Sequence, residues 1–253
     1  MYKQRYRQGY KQQSSPTILL SRVREAVITR WIESRGWYMV KDCFVTTDSR
    51  IAGTGYSPYR VFPYNEPFLK YLWARMWQYK RLALVKFRQG MATNLIAAAR
   101  NLVLSLLFEG SQNFILKRTF EEADHILKYR VMELWRNIPH RVKVPIDGKI
   151  VEVEPKEILP VPEFKEGVVT IRRPRPYGDP LASSTIEALQ GVVEKARGLT
   201  GFNAVIDEAA FTEQLRDTYT AMSPAMQYIQ LISSPKPGEF QQCFTIGLTT
   251  RRF

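Results

Sequence analysis

Two stretches of the 253-residue sequence place side chains at a spacing that chemistry can use. Asn203-Ala204-Val205-Ile206-Asp207-Glu208-Ala209-Ala210-Phe211 reads as a short buried strand ending in two adjacent carboxylates. The apolar run before the acids fits a central parallel strand covered on both faces. Carboxylates beside a core cost free energy unless a cation or a reaction uses them. Such a pair suits nucleotide hydrolysis: Asp207 would help hold Mg2+ and Glu208 would orient the attacking water. The same letters also fit a strand that runs out into a solvated acidic turn.

The second stretch is Lys86-Phe87-Arg88-Gln89-Gly90-Met91-Ala92-Thr93-Asn94. Arg81 to Phe87 reads as a buried strand, Arg88 to Ala92 as a turn, and Thr93 to Phe108 as a strongly apolar helix. Strand, tight turn and helix make a phosphate cradle, because backbone N–H groups and the helix N-terminus face the anion. The pattern G-x-x-x-x-G-K-[ST] is absent. With Thr93 at its last position, Ala92 stands where the lysine belongs, Met91 at the second glycine and Lys86 at the first. Thr93 still offers a hydroxyl to Mg2+, Gly90 relaxes the turn, and Lys86 and Arg88 bring cationic charge toward β- and γ-phosphates. A nucleotide would lie along Lys86, Arg88, Gln89, Gly90, Met91, Ala92, Thr93 and Asn94. An ordinary strand–helix junction is the competing reading. A third stretch, Tyr228 to Ser233 followed by Ser234-Pro235, reads as a buried strand whose terminal hydroxyls would lie beside the other two sites.

These side chains need a scaffold that collects strand ends. Asn113 to Lys117 reads as a further strand, and Thr119 with Glu122 forms a capping-box pattern before a helix reaching about Trp135. Strand, helix, strand, helix is the mark of a parallel α/β sheet, whose ligands bind at the C-terminal ends of the strands. Upstream, Ser15-Pro16 opens a helix to about Glu33, residues 35 to 66 read as an irregular connector, and Pro67 to Tyr79 as an aromatic-rich helix. Val142 to Val153 reads as a hairpin turning at Asp147-Gly148. Val168 to Ile171, Ser184 to Ala188 and Cys243 to Leu248 are further candidate strands. Arg172-Arg173-Pro174-Arg175-Pro176 is a basic loop, either facing nucleic acid or simply solvated.

The composition narrows the setting. The apolar share of 45% supports a sizeable core, and the net charge of +13 favours a polyanionic partner, nucleic acid first. Residues 1 to 15 carry Lys3, Arg5, Arg7 and Lys11 and no acid, which reads as a basic arm. Two cysteines far apart, Cys43 and Cys243, point away from structural zinc. No stretch approaches the roughly 18 apolar residues of a membrane span, so a cytosolic protein without a membrane partner is expected.

Taken in order, Lys86-Phe87-Arg88-Gln89, Ser184-x-Ile186, Ala196-Arg197-Gly198, Val205-Ile206-Asp207-Glu208-Ala209-Ala210 and Ser233-Ser234-Pro235 resemble the ATPase domain of large terminase subunits, the DNA-packaging motors of tailed phages and related viruses. The resemblance spans roughly residues 61 to 240. It implies a P-loop NTPase fold of the ASCE type: a mainly parallel sheet flanked by helices, here with a β-hairpin insertion and a helical N-terminal arm. It implies ATP and Mg2+ as cofactors, Asp207 as the metal-associated acid together with Thr93, and Glu208 as the catalytic glutamate. Lys86 would be the basic residue of a deviant phosphate loop, with Arg88 beside it. Arg197 would be an arginine offered to a neighbouring subunit, and Ser233-Ser234 the motif coupling hydrolysis to movement. The implied partners are double-stranded DNA, a homo-oligomeric ring on a capsid portal and a small terminase subunit, in host cytoplasm and transiently on the procapsid. The family's common Arg-Gln-x-Gly-Lys-Thr becomes Arg88-Gln89-Gly90-Met91-Ala92-Thr93, and Pro67-Phe68-Leu69 lacks the glutamine of an adenine motif. The expected division is an arm and connector over 1–60 and an ATPase domain over 61–253, with the family's nuclease domain outside the chain. A helicase-like remodelling ATPase and a non-catalytic nucleic-acid-binding scaffold are the competing functions.

Overall fold

The computed structural model describes residues 16–47, 59–61, 67–86, 92–173 and 183–234. The basic arm before Pro16, the turn residues Arg88 to Met91, the run Pro174 to Pro176 and the expected strand Cys243 to Leu248 lie outside these residues. A seven-stranded sheet organises the rest, in the order β3-β11-β10-β4-β9-β8-β7. Its parallel part comprises β3 (Arg81–Val85), β4 (Gln112–Lys117), β9 (Ser184–Gln190), β10 (Gly201–Asp207) and β11 (Met226–Ser233). Two antiparallel strands, β7 (Pro162–Lys165) and β8 (Val168–Ile171), extend one edge. The expected mainly parallel, helix-flanked α/β sheet is therefore present.

The central strands are buried on both faces, and alternation along them assigns each side chain to one of two cores. On β10, Val205 joins one core while Ala204 and Ile206 join the other. On β4, Ile115 belongs to the first core, and Phe114 and Leu116 to the second. The first face is covered by a long helical segment, a π-helical stretch Asn94–Arg100 running into α4 (Asn101–Leu107). The second is covered by α8 (Val193–Ala196) and α9 (Leu215–Met222), whose Ala196, Leu215 and Met222 are buried there. The wholly apolar character of Leu95 to Ala99 is what lets this segment lie buried against the sheet.

The helix expected from Ser15-Pro16 to about Glu33 is present and packs on the core of the sheet. Helix α1 (Pro16–Glu33) and helix α2 (Trp37–Cys43) contribute Val27, Trp31, Trp37, Met39, Val40 and Cys43 to the same core as the first sheet face. Residues 35 to 66, read as irregular, thus contain α2 and a short strand, β1 (Val45–Thr47), paired with β2 (Tyr59–Val61). The left-handed glycine at the α1–α2 corner is obligatory, because a Cβ on Gly36 would lie 2.1 Å from a Val103 methyl carbon. The hairpin is as expected: β5 (Val142–Ile146) pairs with β6 (Lys149–Val153), and Asp147 and Gly148 both have positive φ.

Candidate active site

Alternation also predicts what gathers at the C-terminal ends of the strands. Asp207 lies two residues beyond Val205, and Lys117 two beyond Ile115, so both emerge on the face covered by the 94–107 helical segment. Lys86 follows Leu84, which packs on that same core, and Thr93 comes from the start of the covering helix. The four side chains meet. Lys86 Nζ donates to Asp207 Oδ1 at 2.9 Å and to Thr93 Oγ1 at 2.5 Å. The Thr93 hydroxyl donates in turn to Asp207 Oδ1 at 3.1 Å. Lys117 Nζ lies 3.6 Å from Asp207 Oδ2 and 3.4 Å from Glu208 Oε2.

Glu208 breaks the alternation. Its backbone is left-handed, φ 57° and ψ 39°, an uncommon state for a non-glycine residue that costs about 1 kcal/mol or more. Alternation alone would send its side chain toward α9; the left-handed turn ends the strand, and the carboxylate instead lies beside Lys117. The two acids sit in different surroundings. The Asp207 side chain is 3% exposed and saturated by two ammonium groups and a hydroxyl, whereas that of Glu208 is 46% exposed. One acid is enclosed and the other is open to solvent.

Ser233 ties the site together from the neighbouring strand. Its Oγ accepts from the Ala210 N–H at 3.0 Å, and its carbonyl accepts from the Lys86 N–H at 2.8 Å. One buried serine thus links the turn after Glu208 to the chain leaving β3. Ser234 follows it, half-buried. Ala92 is buried and Asn94 half-buried at the start of the covering helix. Arg88, Gln89, Gly90 and Met91 lie outside the described residues. Arg197 stands apart: it is exposed at the end of α8, lines a shallow groove with Gln214 and Asp217, and makes no hydrogen bond or ion pair with Asp207 or Glu208.

Lys117 carries no signal of its own in the sequence, where it merely ends an expected strand. The signal lay in combining two strands. Once β4 and β10 pair in parallel with Ile206 opposite Leu116, the next residues, Asp207 and Lys117, must be neighbours. Its backbone is fixed as well, since the Lys117 carbonyl accepts from the Gly191 N–H at 2.7 Å. A Cβ on Gly191 would come within 3.2 Å of that carbonyl oxygen and 3.1 Å of a Thr212 methyl, so any other residue there would press the strand ends apart by a few tenths of an ångström.

The oxygen donors suit a Mg2+ ion. Among the described residues no three His, Cys, Asp or Glu side chains cluster into a closed metal cage. What converges is one hydroxyl and one carboxylate oxygen, 3.1 Å apart. Adjacent ligands of an octahedral ion with bonds of about 2.0–2.1 Å are separated by about 2.9 Å. Mg2+ keeps several waters and takes its other oxygens from phosphates, so two protein donors suffice.

No family model matches the chain, and no curated protein matches it. Among solved structures it is similar to the large terminase ATPase domain of Thermus phage P74-26. An arginine-to-alanine mutant of that domain is 19% identical with a TM-score of 0.46, covering 79% of this chain and 74% of that one. The unmutated domain is 18% identical with a TM-score of 0.42 over the same shares. The large terminase of a thermophilic bacteriophage in complex with ADP is 12% identical, TM-score 0.37, over 61% of this chain and 33% of that one. The chain's own fold is a mainly parallel α/β sheet flanked by helices.

Proposed function

We propose that the chain is the ATP-hydrolysing motor domain of a large terminase, driving double-stranded DNA into a viral procapsid. The observation that carries the reading is the convergence of Lys86, Thr93 and Asp207 within hydrogen-bonding distance, with Glu208 adjacent, at the C-terminal edge of a parallel sheet. This is the edge at which such sheets bind ligands. Two lysines rising from strand ends supply the charge that the missing loop lysine would bring. Lys86 and Lys117 would hold phosphate oxygens from the sheet side, while the helix start at Thr93 faces them from the other. Thr93 and Asp207 would hold Mg2+, which when bound neutralises charge on the phosphate oxygens. Glu208, exposed enough to meet solvent, would orient the water that attacks the γ-phosphate. Lys117 would keep its carboxylate aimed at the site. Ser233 would carry a change at Glu208 to the backbone leaving β3, which is the route from hydrolysis to movement. Arg197, exposed and remote from Asp207 and Glu208 within its own chain, would serve a neighbour's site in a ring. The positive balance of the whole chain, +13, suits sequence-independent contact with DNA phosphates. The portal, the small terminase subunit and the procapsid belong to the same reading, as does a location in host cytoplasm. Residues 61–253 would form the motor domain, with α1 and α2 built onto its core.

A second reading, a nucleic-acid-binding scaffold that no longer hydrolyses ATP, is favoured by one observation: buried Ala92 stands where the loop lysine belongs. The two separate in an assay of ATP turnover with Mg2+ at rising protein concentration, with and without double-stranded DNA. The motor reading expects turnover per chain to rise with concentration and with DNA. DNA binding without turnover at any concentration supports the scaffold.

A further inference from the structure

Lys86 does more at this edge than approach phosphates. Its ammonium is wedged between Thr93 Oγ1 and Asp207 Oδ1, at 2.5 and 2.9 Å, the two oxygens that fit a divalent ion. A second ammonium, Lys117 Nζ, faces the other oxygen of the same carboxylate at 3.6 Å. Both lysines are largely enclosed, their side chains 16% and 12% exposed, so solvent screens them little. Among the described residues, two lysines and two acids balance one another here. A bare divalent cation entering it would meet two fixed positive charges and find both of its protein oxygens engaged. A nucleotide polyphosphate would meet those same charges as an attraction, and Lys86, on a flexible four-carbon stem, can turn from Asp207 to a phosphate oxygen.

Resting on the reading of this edge as a nucleotide site, we infer that Lys86 is a tethered cation that occupies the divalent-metal position and yields it only when a nucleotide's phosphates draw the ammonium away. The consequence is an order of binding. Free metal is excluded, and metal enters with, or after, the nucleotide. The device also explains how an enclosed carboxylate at the end of β10 is kept satisfied in the nucleotide-free protein, where an unpaired buried charge would be strongly destabilising.

The test uses Mn2+ as the probe, read by electron paramagnetic resonance and by the relaxation of water protons, which reports protein-bound Mn2+. Binding of a fluorescent ADP is measured separately on the same samples. The unaltered protein is expected to bind Mn2+ alone at least tenfold more weakly than it does with ADP present. The Lys86→Met protein is expected to bind Mn2+ without nucleotide at least tenfold more tightly than the unaltered protein, and to bind ADP more weakly. Equal Mn2+ affinity with and without ADP, in unaltered protein that does bind ADP, overturns the tethered-cation inference and leaves the nucleotide site standing. Unchanged Mn2+ affinity in a Lys86→Met protein with native circular dichroism overturns it too. Failure of the unaltered protein to bind ADP at all overturns the nucleotide-site reading and the inference with it. Because ADP phosphates themselves bind Mn2+, the nucleotide-free comparison with Lys86→Met decides the matter, and Lys86→Gln takes its place if the methionine variant does not fold.

Discussion

Strand β10 carries a polar side chain near each end of one face, Asn203 and Asp207, and each holds a cation in a different way. At the N-terminal end, the Arg100 guanidinium is fully buried. It donates to Asn203 Oδ1 at 3.3 Å and to the Met76 carbonyl at 3.1 Å, and it lies over the rings of Trp77 and Tyr228 at 4.6 and 5.2 Å. Asn203 passes the network on, donating to Asn101 Oδ1 at 2.6 Å. These partners are neutral dipoles and aromatic faces, and burial pulls the guanidinium pKa down to about 9, still charged at neutral pH. At the C-terminal end, Lys86 and Lys117 are held by carboxylates at the rim of the sheet. A cation clothed in dipoles and rings has nothing to exchange with and nowhere to go. Cations held by acids beside solvent can trade those acids for a phosphate. The first arrangement is architecture, and the second, on the proposed reading, is a site at rest.

The contrast sharpens into opposite expectations for the two ends. Arg100→Ala should cost about 3 kcal/mol of stability, because it opens a cavity and orphans Asn203 and the Met76 carbonyl. Urea unfolding should show this loss while nucleotide affinity changes less than about twofold. Arg100→Met fills the volume without a charge and should cost clearly less than the alanine variant, since replacing a buried charge by an apolar side chain is often nearly neutral. If Arg100→Ala instead left stability intact and weakened nucleotide binding, the division between the two ends would be wrong.

Lys117→Met should do the reverse. Asp207 keeps Lys86 and Thr93 as partners and Glu208 stays open to solvent, so unfolding should shift less than it does in Arg100→Ala. Glu208 loses the ammonium that aims it and the phosphates lose one of two lysines, so maximal ATP turnover should fall about tenfold and KM should rise as well. A change in KM alone would make Lys117 a binding group only.

The smallest expected effect lies away from both ends. Burial raises the Asp42 carboxyl pKa above its ordinary 3.8, against the hydrogen bond from Trp31 Nε1 and the charges of Arg30 and Lys41. A carboxyl with a raised folded-state pKa contributes stability that is fully present below about 3.8 and is lost as pH rises through the raised value. Asp42→Asn retains an acceptor for Trp31 without the charge. Its stability should therefore exceed that of the unaltered protein at neutral pH by about 1 kcal/mol or less, and the gain should shrink as pH falls through the raised value and be gone below about 3.8. A gain that grows in acid would reverse the sign of this assignment.

The two ends were unequally legible in the sequence. Asp207 and Glu208 stand out because two acids after an apolar run are costly, and the run itself marks β10. The five parallel strands follow from the same kind of run, and the hairpin from Asp147-Gly148 between alternating strands. Lys117 is invisible until β4 and β10 are put in register, since a lysine ending a strand is ordinary by itself. Arg100 reads as an arginine in an apolar helix, and only the aromatic cluster around Trp77 and Tyr228, distant in sequence, shows that it is enclosed. β7 escaped because Pro162, Glu163 and Lys165 are the residues of an edge strand, and an edge is where it lies. Helix α2 escaped because its seven residues are too short for a periodic signal beside so many glycines and prolines, yet four of them are buried.

The central claim is that the C-terminal edge of this sheet hydrolyses ATP with Glu208 orienting the water. The most direct test measures ATP affinity and ATP turnover together, in the unaltered protein and in Glu208→Gln. The account predicts that the amide variant binds ATP within a few-fold of the unaltered protein while turnover falls by about 10²-fold or more. Full turnover retained in Glu208→Gln, with binding unchanged, would contradict it.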